Sequence, residues 1–108
     1  MKNLAVVYLR RAKQDLVEIR DYIKKDNPSQ ARAWVEKIDK TLGRLARFPE
    51  SGAIPKDDHL AALGYRMVII GDYLAFYLQR RRRIEIRRVL HGSRRYSFLL
   101  SPKGSAGT

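Results

Sequence analysis

YRMVIIGDYLAFYLQRRRRIEIRRVLHG, residues 65–92, is the stretch whose reading decides the fold. It splits into three strand-like runs rich in β-branched and aromatic residues, with two short connections. Tyr65–Ile70 is the first run, Gly71-Asp72 a tight turn, and Tyr73–Gln79 the second run. Arg80–Arg83 form the next connection, Ile84–Leu90 the third run, and His91-Gly92 its end. The unbroken apolar segment Tyr73–Leu78 suits a central strand buried on both faces. Three strands with such short links form an antiparallel meander.

Toward the N-terminus, residues 49–64 hold Pro49, Gly52, Pro55 and Gly64 and read as a surface crossover loop with a short helical turn at Leu60–Leu63. Before it the period changes to that of a helix. Ala31, Trp34, Val35, Ile38, Leu42, Leu45 and Phe48 recur at helical spacing, and Pro49 stops the run, because the residue before a proline avoids the helical region. Its start is Asn27-Pro28-Ser29-Gln30: Asn27 can cap, and Pro28 suits the first helical position. An earlier amphipathic helix carries Ala12, Leu16, Ile19 and Ile23 and stops near Asp26. Two long helices with so short a link pack as an antiparallel hairpin. Residues 4–9, Leu-Ala-Val-Val-Tyr-Leu, are a first strand.

The expected order is β-α-α-β-β-β: an α+β domain over residues 1–100, an antiparallel sheet covered on one face by a helical hairpin, with the other face partly open. Ser93–Leu100 is expected to add a short terminal helix, and 101–108, rich in Gly, Ser and Pro, to be a disordered tail.

The 108 residues suffice for one modest core, with little room for an internal cofactor. There is no cysteine, which excludes disulfides and thiolate metal sites. No apolar run approaches a membrane span, and residues 1–10 lack a signal-peptide pattern, so the expected compartment is the cytoplasm. Lys and Arg total 23 against 11 Asp and Glu, a net charge of +12. The excess is concentrated: arginines stand at 80, 81, 82, 83, 87, 88, 94 and 95, with Glu85 the single acid among them. Such a segment attracts a polyanion, whether nucleic acid or an acidic protein, and an acidic partner would relieve its self-repulsion.

These residues could serve metal-free phosphodiester cleavage. A base takes the 2′-hydroxyl proton, a cation holds the transition-state charge, and an acid protonates the leaving oxygen. Arginine's planar fork suits the phosphate role, with Arg66, Arg87, Arg88 and Arg94 as candidates. His91 is the natural acid or base, its reference pKa being about 6.5. Tyr96 could stack on a base or donate a proton. Each has a plainer reading: Arg66 reaching solvent or pairing with Asp72, His91 bonding its turn, Tyr96 packing on the sheet. Arg87 and Arg88 are adjacent in a strand and should face opposite ways. His59 beside Asp57 and Asp58 on a loop is poor support for a metal site, and no metal or cofactor is expected.

The ordered set of motifs resembles the RelE/ParE toxin superfamily. In the first half these are Ala12-x-x-Asp15-Leu16-x-x-Ile19-x-x-Tyr22-Ile23, Asn27-Pro28, Ala31 and Leu45-x-x-Phe48-Pro49-x-x-Gly52. In the second they are Gly64-Tyr65-Arg66, Gly71-x-Tyr73-x-x-Phe76-Tyr77, Ile84-x-Ile86 and Arg88-Val89-Leu90-His91-Gly92-x-Arg94-Arg95. The likeness covers residues 4–100. Arg95 departs from it, standing where the family often has aspartate, as do the four consecutive arginines 80–83.

The resemblance implies the toxin of a type II toxin–antitoxin pair, silenced by an antitoxin whose acidic, amphipathic segment wraps it. RelE-like members cleave messenger RNA on the ribosome, and ParE-like members act on DNA gyrase. The long hairpin and the Arg-Val-Leu-His-Gly ending look closer to the ParE branch, in which the chain would be an inhibitor and not an enzyme. As a ribonuclease it would use Arg66, His91, Arg94 and Tyr96. As a gyrase inhibitor it would present Arg87, Arg88, Arg94 and Arg95. Trp34, Arg82, Arg83 and Arg87 are the expected antitoxin contacts. No small-molecule substrate and no membrane partner are expected, and a plain nucleic-acid-binding module ranks last, because the aromatics do not interleave with basic residues on one strand.

Overall fold

The computed structural model describes residues 3–93. The terminal helix expected over 93–100 and the tail 101–108 fall outside the described residues, Ser93 excepted, as do Arg94, Arg95 and Tyr96. The described chain runs β1 (Ala5–Tyr8), α1 (Arg10–Asp26), α2 (Pro28–Gly43), a 3-10 turn (Arg44–Ala46), α3 (Asp58–Ala62), β2 (Arg66–Ile70), β3 (Tyr73–Gln79) and β4 (Arg83–His91). The second expected helix thus ends at Gly43 and tightens into the 3-10 turn before Pro49.

The four strands form one sheet in the order β1-β4-β3-β2. The meander β2-β3-β4 is antiparallel as expected, but β1 pairs with β4 in parallel, so the sheet is mixed. The crossover from β1 delivers the chain to β2 in the direction of β1, and the third strand of the meander, β4, runs the same way as β2 and so parallel to β1.

The helical hairpin forms where Asn27 places its side chain. Asn27 Oδ1 accepts from the Gln30 backbone N–H at 3.1 Å, and Pro28 opens α2. α1 has no side-chain cap and begins with Arg10 and Arg11, the unfavourable charge for a helix N-terminus. Its stability therefore rests on packing. Ala12, Ile38 and Leu42 from the hairpin and Leu45 from the 3-10 turn meet Ala75 and Tyr77 of β3 and Ile84, Ile86 and Val89 of β4. Burial of each large side chain contributes about 1.5–3 kcal/mol.

The opposite face is better covered than the sequence suggests. Leu60 of α3 and Tyr65 pack on Phe76, Leu78 and Leu90, with Met67 and Leu74 at the margin. Among the described residues, the β4–β1 side of that face has no helix over it. There Val7 and Glu85 lie side by side, with buried Leu78 next in the cross-strand row.

The loop between the 3-10 turn and β2 is held from inside the domain. Tyr77 Oη donates to the Pro49 carbonyl at 2.8 Å and accepts from the Gly52 N–H at 3.0 Å. Ala53 exchanges two 2.8 Å backbone bonds with Met67 of β2. Gly52 is required by this close approach, since a Cβ there would lie 2.5 Å from the Tyr77 hydroxyl oxygen. At the β2–β3 turn Gly71 has φ +61°, the left-handed region that favours glycine.

Gly52→Ala is expected to destabilise the fold by about 1–3 kcal/mol, as overpacking against a buried ring does. Urea unfolding monitored by circular dichroism reads this directly, and an unchanged midpoint would mean the 49–53 loop is not fixed by Tyr77.

Candidate functional site: arginines divided between two carboxylates

β4 carries Arg83, Arg87 and Arg88 around Glu85, and a bulge divides them. Across from β3, Tyr77 pairs with Ile86 and Phe76 with Arg88, so Arg87 has no partner residue in β3. One extra residue re-aims the side chains around it. Arg87 turns to Glu85, and Arg88 turns to α1.

The Arg88 guanidinium is buried and grips Asp15 with two bonds, Nε to Oδ2 at 2.8 Å and Nη2 to Oδ1 at 3.2 Å. Asp15 Oδ2 also accepts from the Val89 backbone N–H at 3.0 Å. Here β1 has already ended opposite Ile86, and the Asp15 carboxylate takes the strand N–H that no neighbouring strand reaches.

Glu85 is the second hub. Its side chain is only 6% exposed, although it lies on the face away from the helical hairpin. Its cover is arginine: Arg87 Nη1 donates to Oε1 at 3.1 Å, Arg80 Nε to Oε1 at 3.3 Å, and Arg83 donates through Nε and Nη2 to Oε2. Burial alone would raise the Glu85 carboxyl, but hydrogen bonds from Arg83, Arg87 and Arg80 outweigh it and hold the group below its ordinary value. Three guanidiniums on one carboxylate leave positive charge in excess. Arg81 and Arg82, exposed in the β3–β4 turn, have no ion pair among the described residues.

The remaining candidates are scattered. Arg66 Nη1 donates to two backbone carbonyls, Gly52 at 2.9 Å and Glu50 at 3.1 Å, and not to Asp72. It thus props the same loop that Tyr77 holds. His91 is exposed at the end of β4. Its Nδ1 lies 2.8 Å from Ser93 Oγ and accepts from the Ser93 N–H at 3.1 Å, the turn-bonding arrangement. Arg66 pairs with Tyr77 and His91 with Tyr73, so the two stand four residues apart along β3, roughly 13 Å.

Trp34 is half-buried against the core, edge-on to Tyr73 at 5.4 Å, and Tyr73 is in turn edge-on to His91 at 5.4 Å. Trp34 Nε1 is buried and has no hydrogen-bond partner among the described residues. Burial, then Tyr22 and Asp72, push the Tyr73 hydroxyl above its ordinary pKa. His59, Asp57 and Asp58 do not assemble into a metal site. Asp57 caps α3 by accepting from the Leu60 N–H at 2.9 Å, and no group of three potential ligands occurs among the described residues.

Sequence reasoning passed over both hubs. Asp15 had a signal: it sits among Ala12, Leu16 and Ile19 on the apolar stripe of α1, where a carboxylate needs a partner. Glu85 stood out as the single acid of the arginine segment, but its role depends on the bulge and the hairpin turn.

The mixed four-stranded sheet with a helical hairpin on one face is a fold shared with solved toxin–antitoxin structures. A chain of the chromosomal ParDE toxin–antitoxin system from P. aeruginosa superposes with a TM-score of 0.69 at 19% identity, over 82% of this chain and 95% of that one. A chain of the RelBE2 toxin–antitoxin complex from Mycobacterium tuberculosis gives 0.55 at 25% identity, over 82% and 98%. A comparison with curated proteins gave no match. The family described as the ParE toxin of the type II toxin–antitoxin system, parDE, matches residues 6–96, and the chain belongs to that family.

The Glu85 cluster has a pH signature. A carboxyl held below its ordinary value contributes stability that is fully present above the unfolded-state pKa and is lost as pH falls through the folded one. The stability of wild type relative to Glu85→Gln is therefore expected to be constant near neutrality and to shrink below the ordinary value of 4.5. Urea midpoints across an acid series read this, and a difference independent of pH would remove the ionised carboxylate from the account.

Proposed function

We propose that this chain is the growth-arresting toxin of a two-protein system, that its target is DNA gyrase, and that a cognate antitoxin with an acidic segment neutralises it. Membership of the ParE toxin family supports the toxin role, and the ParDE and RelBE2 neighbours, both from toxin–antitoxin systems, support an antitoxin partner. The cytoplasm, where gyrase works, is the compartment this reading requires. Among the described residues no helix is long and apolar enough to cross a membrane.

The observation that carries the choice of target is the separation of Arg66 from His91. A phosphate ligand and a proton donor must both reach one phosphodiester at hydrogen-bond distance. These two stand at opposite ends of β3, and the Arg66 guanidinium is bound to main-chain carbonyls. That arrangement supports an inhibitor that works by binding over a ribosome-dependent endonuclease with Arg66, His91, Arg94 and Tyr96 as its machinery. The exposed arginines of the β3–β4 turn together with Arg87 are then the contact surface, and Arg94 and Arg95 are proposed as further contacts.

Purified protein incubated with gyrase and supercoiled plasmid is expected to block supercoiling or trap cleaved plasmid, and to leave message intact on translating ribosomes. Message cleavage that disappears in His91→Ala would overturn this and install the endonuclease reading.

A further inference from the structure

The cluster around Glu85 carries more than a basic surface. Arg80 and Arg83 are about half exposed at the side chain, 53% and 51%, and Arg87 is one-third exposed. All three nevertheless aim their donors at a carboxylate that is itself covered. Long, flexible arginine side chains on an open face ordinarily sample many rotamers, and immobilising each on binding a partner costs free energy. Here one internal anion has already ordered three of them.

We infer that Glu85 acts as a template that holds Arg80, Arg83 and Arg87 in a preformed receptor for the carboxylates of an acidic protein segment. The receptor keeps donors to spare: an arginine has five N–H groups, and each of these three gives only one or two to Glu85. Its geometry is already matched to carboxylate, because a carboxylate is what it holds. The floor beside it favours peptide over nucleic acid. Half-buried Val7 pairs with Glu85, and exposed Ala5 pairs with Arg83, where β1 runs beside β4. A segment alternating carboxylate and apolar side chains fits that mixture, whereas a phosphodiester chain has no use for the apolar positions. Arg81 and Arg82, without an ion pair in the turn, extend the same positive field toward an incoming acid.

The inference rests on the reading of the chain as a toxin with an acidic partner, and it makes a claim opposite to that of simple charge counting. Removing Glu85 makes the surface more positive, so bulk attraction would tighten an acidic ligand. A template predicts the reverse, because the guanidiniums lose their common anchor.

The test uses the whole chain and a fluorescein-labelled decapeptide of alternating glutamate and leucine, read by anisotropy at low salt, with a single-stranded DNA decamer as comparator. Wild type is expected to bind the peptide. The double variant Arg83→Ala, Arg87→Ala is expected to bind it about tenfold more weakly or worse, and Glu85→Gln also several-fold more weakly despite its added positive charge. Arg80→Ala, which leaves the buried carboxylate in place, is measured beside them so that a folding defect in Glu85→Gln does not leave the question open. It too is expected to weaken binding, with thermal unfolding confirming that it is folded. The inference falls if Glu85→Gln, folded, binds as tightly as wild type or tighter. It falls equally if the arginine variants are unchanged, or if the DNA decamer binds more tightly than the peptide with the same dependence on Arg83 and Arg87. Since the assay contains no gyrase, failure of the gyrase experiment would remove the proposed target and leave this result standing.

Discussion

The fold depends on one carboxylate. Asp15 projects from the apolar stripe of α1 to the place where β1 has run out, and there it binds the Arg88 guanidinium and the Val89 N–H together. Without it, the second half of β4 would carry an unpaired buried cation and an orphaned strand donor at a single point, and either is destabilising. The same contact fixes how the helical hairpin lies on the sheet, since α1 meets β4 more extensively than any other strand. The apolar core drives association of the two layers. Asp15 and Arg88 set the position at which they associate.

This arrangement explains how an arginine-dense strand can be central in a small domain. β4 has neighbours on both sides, and self-repulsion among its guanidiniums would oppose folding. The bulge at Arg87 sends consecutive arginines to different carboxylates: Arg88 to the buried Asp15 of α1, Arg87 to Glu85 within β4. The inner pair is spent on structure. The outer group is only partly neutralised, and with Arg81 and Arg82 it forms the surface that remains for a partner. The charge of the chain therefore has two uses, separated by one inserted residue.

Much of this architecture was legible in the residues. The 3.6-residue stripes, the Asn27-Pro28 helix start and the Gly71-Asp72 turn lead to the helical hairpin and the meander. The parallel pairing of β1 was not legible, because it depends on where a long crossover delivers the chain and on no local pattern. The site was less readable than the fold. Arg66 and Arg88 stood out as exposed-type residues in strands, but residue type does not tell a guanidinium that meets a ligand from one that props a loop. Arg66 is bound to the 50 and 52 carbonyls through a loop whose path only the tertiary structure gives. Arg88 is bound to a residue 73 positions away. Gly52 was visible as part of a Pro-x-x-Gly motif. The reason for it, the Tyr77 ring against the glycine, was not.

A double-mutant cycle on Asp15 and Arg88 tests the account most directly. Asp15→Ala and Arg88→Met are each expected to destabilise the chain by about 3–5 kcal/mol, the range for a buried pair broken on one side. The double variant is expected to lose clearly less than the sum, with a coupling of about 2 kcal/mol or more between the sites. If the two effects simply add, this pair does not hold the hairpin to the sheet, and the division of the β4 arginines has some other origin.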